Sequence, residues 1–289
     1  MSRVKNKQNE PDMLRVQYAA RFSFNQAETL NDFIWILCIF SVLTALIPNF
    51  VSETWQLGIP IIIDLIILLC GWRLSVNISL ASSLREYFDS YVLGIGFDMF
   101  DRSTKEYLSE NALKIEQKNP ADAKIQMAHT GRDNPPGVKN WYELPETTSP
   151  EDESYECQRQ NCWWNDKLMK TRLFRSFIAV FILLGITIVI HKLFNLNLLK
   201  TILCCGPIIV RLVERVAVNF RYILISYKID GIVENLSESR TEENILNLQI
   251  LINDRRKMPV LERNYLHKHR AKSYSEELQN IKESSQSQR

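Results

Sequence analysis

The sequence of 289 residues contains little of what marks several protein classes. Nine glycines and ten prolines are too few for collagen-like or Gly/Pro-rich low-complexity sequence. The 35 basic and 33 acidic side chains leave a formal net charge of only +2. That balance argues against a protein that binds nucleic-acid polymers through bulk positive charge. The length allows one large domain or two ordinary ones.

Sequence signatures of catalysis and of metal binding are also missing. The sequence has no nucleophile elbow, phosphate-binding loop, zinc-protease helix or paired-carboxylate signature. Cys157 and Cys162 lack the second pair of ligands that a closed zinc site needs, and His129 is the one histidine near them. An enzyme is therefore not favoured, and we predict neither a cofactor nor a metal.

Four apolar runs are the main feature that the sequence does contain. They are hidden in the average, because the mean hydropathy of −0.15 and the charged fraction of 24% resemble those of a soluble protein. A membrane-spanning helix needs roughly 20 mostly apolar residues, whereas a soluble helix normally keeps a polar face, which the first and third runs lack. We predict four transmembrane helices rather than buried helices of a soluble protein, at 33–51, 57–72, 173–190 and 196–210.

The spacing of these runs predicts the topology. Short loops join the first run to the second and the third to the fourth, whereas about a hundred mostly polar residues separate the two pairs. The predicted fold class is a mainly α integral membrane protein with two transmembrane hairpins, a mixed or helical cytoplasmic insert and a helical tail. The segments are 1–32 (cytoplasmic), 33–72 (hairpin), 73–172 (insert), 173–213 (hairpin) and 214–289 (tail).

The placement of Lys and Arg predicts the orientation. The first hairpin loop has no basic residue and the second has only Lys192, whereas the sequence on the other side of every run is rich in Lys and Arg. Cytoplasmic segments carry this excess, so we expect the N-terminus, insert and tail to be cytoplasmic. Because 32 largely polar residues precede the first run, we expect no signal peptide.

Two stretches of the insert have clear local patterns. Residues from about Ser103 onward predict a helix, and the turn formers and prolines of 129–154 predict an irregular loop. Residues 156–172 then run directly into the third apolar run. We predict one continuous helix there, which would couple the insert mechanically to the membrane.

Cations and aromatic rings concentrate in this part of the insert and suggest a ligand site. Arginine binds phosphate in a bidentate manner, and aromatic rings stack on bases, so the mixture suits a nucleotide. The alternative is that the tryptophans pack the insert or lie at the membrane interface. The candidate residues are Arg132, Lys139, Trp141, Tyr142, Arg159, Trp163 and Trp164.

Asp64 is the one acid deep inside an apolar run. A charge at the bilayer centre costs about 2.5–3.5 kcal/mol on insertion scales, so such residues line a water-filled path, meet a partner or stay protonated. Asp64 is therefore either a pore-facing or interhelical polar contact, or a neutral acid bonded to a hydroxyl such as that of Thr187.

Four local patterns stand out in the insert and tail: Asn140-Trp141-Tyr142-Glu143-Leu144, Cys157-Gln158-Arg159-Gln160-Asn161, Trp164-Asn165 with Leu168, and Leu248-Gln249 with Ile252, Arg255, Pro259 and Tyr265. With the two-plus-two arrangement of runs, they resemble the four-transmembrane effectors found beside bacterial cyclic-oligonucleotide synthases (the S-4TM family). The resemblance covers 26–277. Asn165 departs from the Trp-Asp more common there, which puts a role for an acid at that place in doubt.

The resemblance implies an effector of anti-phage defence in the bacterial inner membrane. Such a protein senses a cyclic oligonucleotide from a partner nucleotidyltransferase and damages the membrane. We expect a homo-oligomer, because four helices of one chain pack together and leave no room for an aqueous pore. Asn161, from the Cys-Gln-Arg-x-Asn pattern, joins the candidate ligand residues. The alternative is a constitutive channel, transporter or scaffold with a structural insert, in which Asp64 matters more than the insert.

Overall fold

Helices make up nearly all of the chain that the structure, a computed structural model, describes: residues 2–44, 53–144, 152–193, 198–238 and 241–258. No strand occurs within those ranges, so the mainly α class is confirmed. A short 3-10 turn at Phe97–Met99 follows the third helix. The helices are α1 (Arg3–Lys7), α2 (Pro11–Thr44), α3 (Glu53–Leu93), α4 (Arg102–Lys118), α5 (Pro120–Ala128), α6 (Glu153–Leu193), α7 (Leu198–Glu238) and α8 (Glu242–Arg256).

Four of the helices are much longer than a bilayer requires. Helix α2 has 34 residues, and α3, α6 and α7 have 41 each. At 1.5 Å per residue they are about 51 to 62 Å long, whereas the hydrocarbon core is about 30 Å thick. Each apolar segment is thus one end of a helix whose other end projects beyond it. The predicted continuity of residues 156–172 with the third run is confirmed by α6.

The apolar ends of these helices are exposed rather than buried. Two helical stretches, Pro11–Thr44 and Gly58–Leu93, are long and apolar enough to cross a membrane, and only 28% and 11% of their most apolar windows are buried. A shorter apolar segment lies at Phe177–Leu193. Large side chains such as Phe40, Leu68 and Phe181 are more than half exposed. Such continuous apolar surface fits lipid and opposes the interpretation as soluble core helices.

Tryptophans lie at both ends of the apolar part of α3. Trp55 and Trp72 are 60% and 66% exposed, and 17 residues of helix separate them by about 26 Å. Amphipathic indole rings favour the two membrane–water interfaces, and this separation approaches the thickness of the hydrocarbon core. The pair therefore marks the membrane-facing segment of α3.

The polar ends pack into two cores. The N-terminal half of α2 packs on the C-terminal half of α3 and on α4, around Val16, Leu84, Phe88 and Leu108. Helices α6, α7 and α8 enclose a second core that includes Ile229, Leu248 and Ile252. The predicted segment boundary at residue 32 falls inside α2, so the N-terminal residues and the insert contribute to the same core.

Capping fixes where the shorter helices begin. Asp101 accepts a hydrogen bond from the Thr104 amide and starts α4, which confirms the helix predicted from about Ser103. Thr241 accepts one from the Asn244 amide and starts α8. Both are residues that satisfy free amides in the first turn of a helix.

Candidate functional site

A buried carboxylate, Asp89, lies where the two cores meet. It is on α3 and has no exposed surface. Its Oδ1 accepts a hydrogen bond of 2.7 Å from the Tyr142 hydroxyl. Its Oδ2 accepts hydrogen bonds from Arg256 Nη1 at 2.6 Å and from Gln249 Nε2 at 3.3 Å. A buried charge needs such partners, because it has lost its hydration.

The sequence of α8 explains how its polar residues reach Asp89. Gln249, Asn253 and Arg256 follow each other at spacings of four and three, so they share one helix face beside the buried Leu248 and Ile252. Gln249 Nε2 also lies 3.0 Å from Asn253 Oδ1. The face that buries apolar side chains in the α6–α7–α8 core thus carries a polar edge toward α3.

Helix α6 contributes Gln158 and Asn161. Gln158 Nε2 donates to Gln249 Oε1 at 2.9 Å and to the Ile245 carbonyl at 3.1 Å. Asn161 Nδ2 donates to the Tyr142 hydroxyl at 2.9 Å. We call this set the Asp89 network, and it consists of Asp89, Tyr142, Gln158, Asn161, Gln249, Asn253 and Arg256.

The loop that holds Tyr142 is fixed by the N-terminal segment. Gln8 bonds both the amide and the carbonyl of Tyr142, at 2.8 and 3.2 Å. The Tyr142 ring stacks on Phe88 with 6.3 Å between centroids. Upstream in the loop, a Cβ on Gly137 would lie 1.9 Å from the His129 carbonyl oxygen, so this close approach requires glycine.

Burial dominates the electrostatics of the network. Burial, followed by the Asp89 charge, raises the pKa of Tyr142 well above its ordinary value, so the hydroxyl remains a donor. Burial, the largest single influence, lowers the pKa of Arg256, but Asp89 and Tyr142 together raise it by more, so the net shift is upward. Burial and then the nearby Arg256 charge lower the pKa of Arg85 to about 10. The Asp89 carboxylate is thus a counter-charge to the nearby guanidinium groups of Arg85 and Arg256.

The candidate ligand residues of the insert fall into two groups. Tyr142, 2% exposed, and Asn161 belong to the Asp89 network. Trp141 is half-buried, with the Arg85 guanidinium 4.0 Å from its ring. The other group is on the surface, where Arg132 pairs with Glu143 and Arg159 with Glu156, and Lys139 is exposed.

Two tryptophans of the predicted ligand set have no described side chain. The side chains of Trp163 and Trp164 lie outside the described residues, although their backbone is in α6. None of the candidates with a described side chain lines the cavity of about 610 Å³ between α2, α3 and α7. The ligand-binding role of all these residues stays a prediction.

Asp64 is in the apolar part of α3, and its Oδ1 is buried with no hydrogen-bond partner among the described residues. The Thr187 hydroxyl, which was one predicted partner, donates instead to the Leu183 carbonyl at 2.9 Å. Within the described ranges, no group of three or more His, Cys, Asp or Glu side chains could hold a metal ion.

Sequence reasoning missed Asp89, Asn253 and Arg256. Asp89 follows Tyr87 and Phe88 in an amphipathic pattern that places it on the polar side. The available signal was on α8, where Gln249, Asn253 and Arg256 form a polar stripe next to an apolar one. Such a stripe indicates a buried polar contact, although it cannot identify the partner.

Comparison with known families supports the resemblance found in the sequence. A family profile described as the SMODS-associating 4TM effector domain matches residues 2–284. Comparison with curated proteins and with solved structures gave no match. Since the profile spans nearly the whole chain, from α1 through α8, the chain belongs to the SMODS-associating four-transmembrane effector family.

Proposed function

We propose that this effector acts in bacterial anti-phage defence by sensing a cyclic oligonucleotide at its cytoplasmic side and then assembling to disrupt the inner membrane. The proposed partners are a nucleotidyltransferase that makes the signal, other copies of the chain and the lipid bilayer. Both termini are proposed to be cytoplasmic, with four helices crossing the membrane. The protein catalyses no reaction in this proposal.

The Asp89 network is the observation that supports signal transmission most directly. It joins α3 and α6, and each of these helices continues without interruption to an apolar, exposed end. It also joins α8 and the Tyr142 loop. A change in how these elements pack would therefore displace the membrane-facing ends of both α3 and α6.

A ligand can drive such a change only through a difference in affinity between two states. Moving an equilibrium from 1:99 to 99:1 requires about a 10⁴-fold preference for the active state. A multiply charged cyclic oligonucleotide that binds arginine and aromatic side chains could supply such a preference. The exposed apolar faces of α3 and α6 would then meet those of other copies and form the assembly.

Membrane potential measures this function directly. Cells that express the effector with its cognate nucleotidyltransferase should depolarise, as followed by a potential-sensitive dye, and cells with a catalytically dead nucleotidyltransferase should not. Purified effector in dye-loaded liposomes should release dye when the matching cyclic oligonucleotide is added. Release that is equal with and without every cyclic di- and trinucleotide tested would contradict sensing.

The constitutive channel or transporter remains a second candidate, because Asp64 in the apolar part of α3 has a buried oxygen with no hydrogen-bond partner in the described part of the chain. Asp64→Asn keeps the shape of the side chain and removes its charge. If the chain conducts constitutively through a path that Asp64 lines, this variant should change the signal-independent conductance in planar bilayers. Under the effector proposal, the wild type has no such conductance to change.

A further inference from the structure

A second polar site lies about midway along the long helices, and none of the residues of the Asp89 network is among its described lining residues. Helices α2, α3 and α7 enclose a cavity of about 610 Å³, which is within the range of small-molecule sites. Among the residues that the structure describes, four basic side chains and one acid, Glu214, line it. The basic residues are Arg211, Arg215, Arg221 and Lys257.

The positions of two arginines are set by contacts in the cavity wall. Arg211 Nη2 donates to Asn31 Oδ1 at 2.9 Å, and its Nη1 lies 3.0 Å from Glu214. The Arg215 guanidinium is 5.8 Å from the ring centroid of Trp35, which also lines the cavity. An ordered guanidinium beside an aromatic ring suits a ligand that combines an anion with an apolar or planar group.

Two further donors remain available. Arg221 has no ion-pair partner among the residues that the structure describes. Asn219 lines the same wall and is 9% exposed, and its Nδ2 is buried with no hydrogen-bond partner within the described ranges. Buried amides nearly always have a partner, so this unsatisfied donor points to an acceptor oxygen supplied by a ligand.

The position of the cavity along the helices indicates which class of ligand can reach it. Its walls are the segments where the predicted spans pass into the cytoplasmic part, near residues 31–35, 71–79 and 211–221. On the predicted topology, it opens at the level of the lipid headgroups on the cytoplasmic side. Anionic phosphodiesters are available there both from lipid and from solution, and Arg binds their oxygens in a bidentate manner.

We propose that this cavity is a binding site for an anionic phosphodiester, with Arg215, Arg221 and Asn219 as its donors. The phosphodiester belongs either to the headgroup of an anionic lipid or to a cyclic oligonucleotide. In the second case the cavity is the sensing site, and that reading rests on the proposed function. In the first case the cavity binds anionic lipid independently of any signal.

Two variants of the full chain test the site. Arg215→Gln with Arg221→Gln removes two positive charges, and Asn219→Leu removes the amide donor while keeping a side chain that branches at Cγ. The matched control is Arg102→Gln with Lys114→Gln, two exposed basic residues of α4. Circular dichroism and gel filtration in detergent establish that each variant is folded and has the wild-type assembly state.

Two probes separate the sources of the phosphodiester. Titration calorimetry in phosphatidylcholine nanodiscs measures binding of cyclic di- and trinucleotides, and native mass spectrometry measures retention of phosphatidylglycerol. We expect at least a tenfold loss of affinity for one probe in both cavity variants and none in the control. Loss for the nucleotide identifies the sensing site, whereas loss for phosphatidylglycerol alone identifies a lipid site.

Unchanged binding of both probes in both folded variants, or no saturable binding of either probe to the wild type, would overturn the proposal. Failure of this site is distinguishable from failure of the proposed function. If the cavity plays no part but the effector function holds, cells with the cavity variants still depolarise when the cognate nucleotidyltransferase is active.

Discussion

Arg256 Nη1 lies 2.6 Å from Asp89 Oδ2 across 167 positions of the chain, and the Asp89 side chain is fully buried. The pair connects the last described helix to the C-terminal end of α3. Since Asp89 also accepts from Tyr142 and Gln249, one carboxylate joins three separate segments. Asp89 is therefore a polar contact that holds α8 against α3, in addition to the apolar core that α8 shares with α6 and α7.

Asp89→Asn should therefore destabilise the folded effector. The asparagine leaves the buried Arg256 guanidinium without a counter-charge, and breaking a buried pair from one side costs about 3–5 kcal/mol. The amide can still accept one hydrogen bond, so we expect about 3 kcal/mol. Thermal unfolding in detergent, followed by tryptophan fluorescence, measures the change as a fall in melting temperature.

The matched control for this variant is Glu106→Gln on α4. Glu106 pairs with Arg102 at 2.7 Å, but the two side chains are 60% and 93% exposed, and such surface pairs contribute about 0–1 kcal/mol. Adding Arg256→Met to Asp89→Asn should cost less than the sum of the two single changes. Additive effects would mean that the two residues do not stabilise each other.

Tyr142→Phe should destabilise the protein while keeping the ring on Phe88. Removal of the hydroxyl leaves Asp89 Oδ1 without its donor and Asn161 Nδ2 without its acceptor. A buried polar group left unsatisfied costs about 1–3 kcal/mol. Tyr107→Phe, at a 60% exposed position, is the control and should have the same melting temperature as the wild type. Equal melting of both variants would show that the Tyr142 hydroxyl does not stabilise the fold.

The sequence was sufficient to predict the apolar parts of the helices but not the contacts between the helices. The apolar runs predicted the exposed apolar parts of α2, α3 and α6, and the pattern of 156–172 predicted the continuity of α6, because both signals are local. The extension of α2 before its apolar run was missed, since residues 11–32 carry only a weak stripe of Met13, Val16 and Ala20 between polar side chains. That stripe is buried only because α3 and α4 pack over it.

The site was predicted in part for the same reason. The patterns around Tyr142, Gln158, Asn161 and Gln249 were noticed as separate segments, and the structure brings these residues into one network. The residue that joins them, Asp89, has the local appearance of a solvent-facing acid. Its partners are 53 and 167 positions away, so no window of sequence contains the contact.

Stability should fall at alkaline pH because of Cys162. Burial raises the pKa of the Cys162 thiol above its ordinary 9.0 to about 11. The unfolded thiol ionises above pH 9 whereas the folded one stays neutral. The contribution of the thiol is thus fully present below pH 9 and is lost as the pH rises through 11. Unfolding measured from pH 8 to 11 should show a shallower decline in Cys162→Ala than in the wild type.

Alkylation kinetics check the same pKa separately. The thiolate is the reactive form. A pKa of about 11 instead of 9.0 lowers the thiolate fraction at pH 8 about a hundredfold. A variant with Cys162 as its one cysteine should react with iodoacetamide at least that much more slowly when folded than in denaturant. Ser109→Cys in a cysteine-free chain, on the exposed face of α4, should react at similar rates in both conditions.

Arg159→Ala should abolish signal-dependent depolarisation while leaving membrane insertion intact. Arg159 is on the surface of α6, where it pairs with Glu156 one turn away at 2.8 Å, so its loss costs less than about 1 kcal/mol. It lies beside Gln158 and the Asp89 network, where a bound phosphate would act on α6. Arg102→Ala removes an arginine of similar pairing on α4 and should depolarise cells like the wild type. If cells with Arg159→Ala also depolarise fully, Arg159 takes no part in sensing, and the cations of the α2–α3–α7 cavity become the stronger candidates.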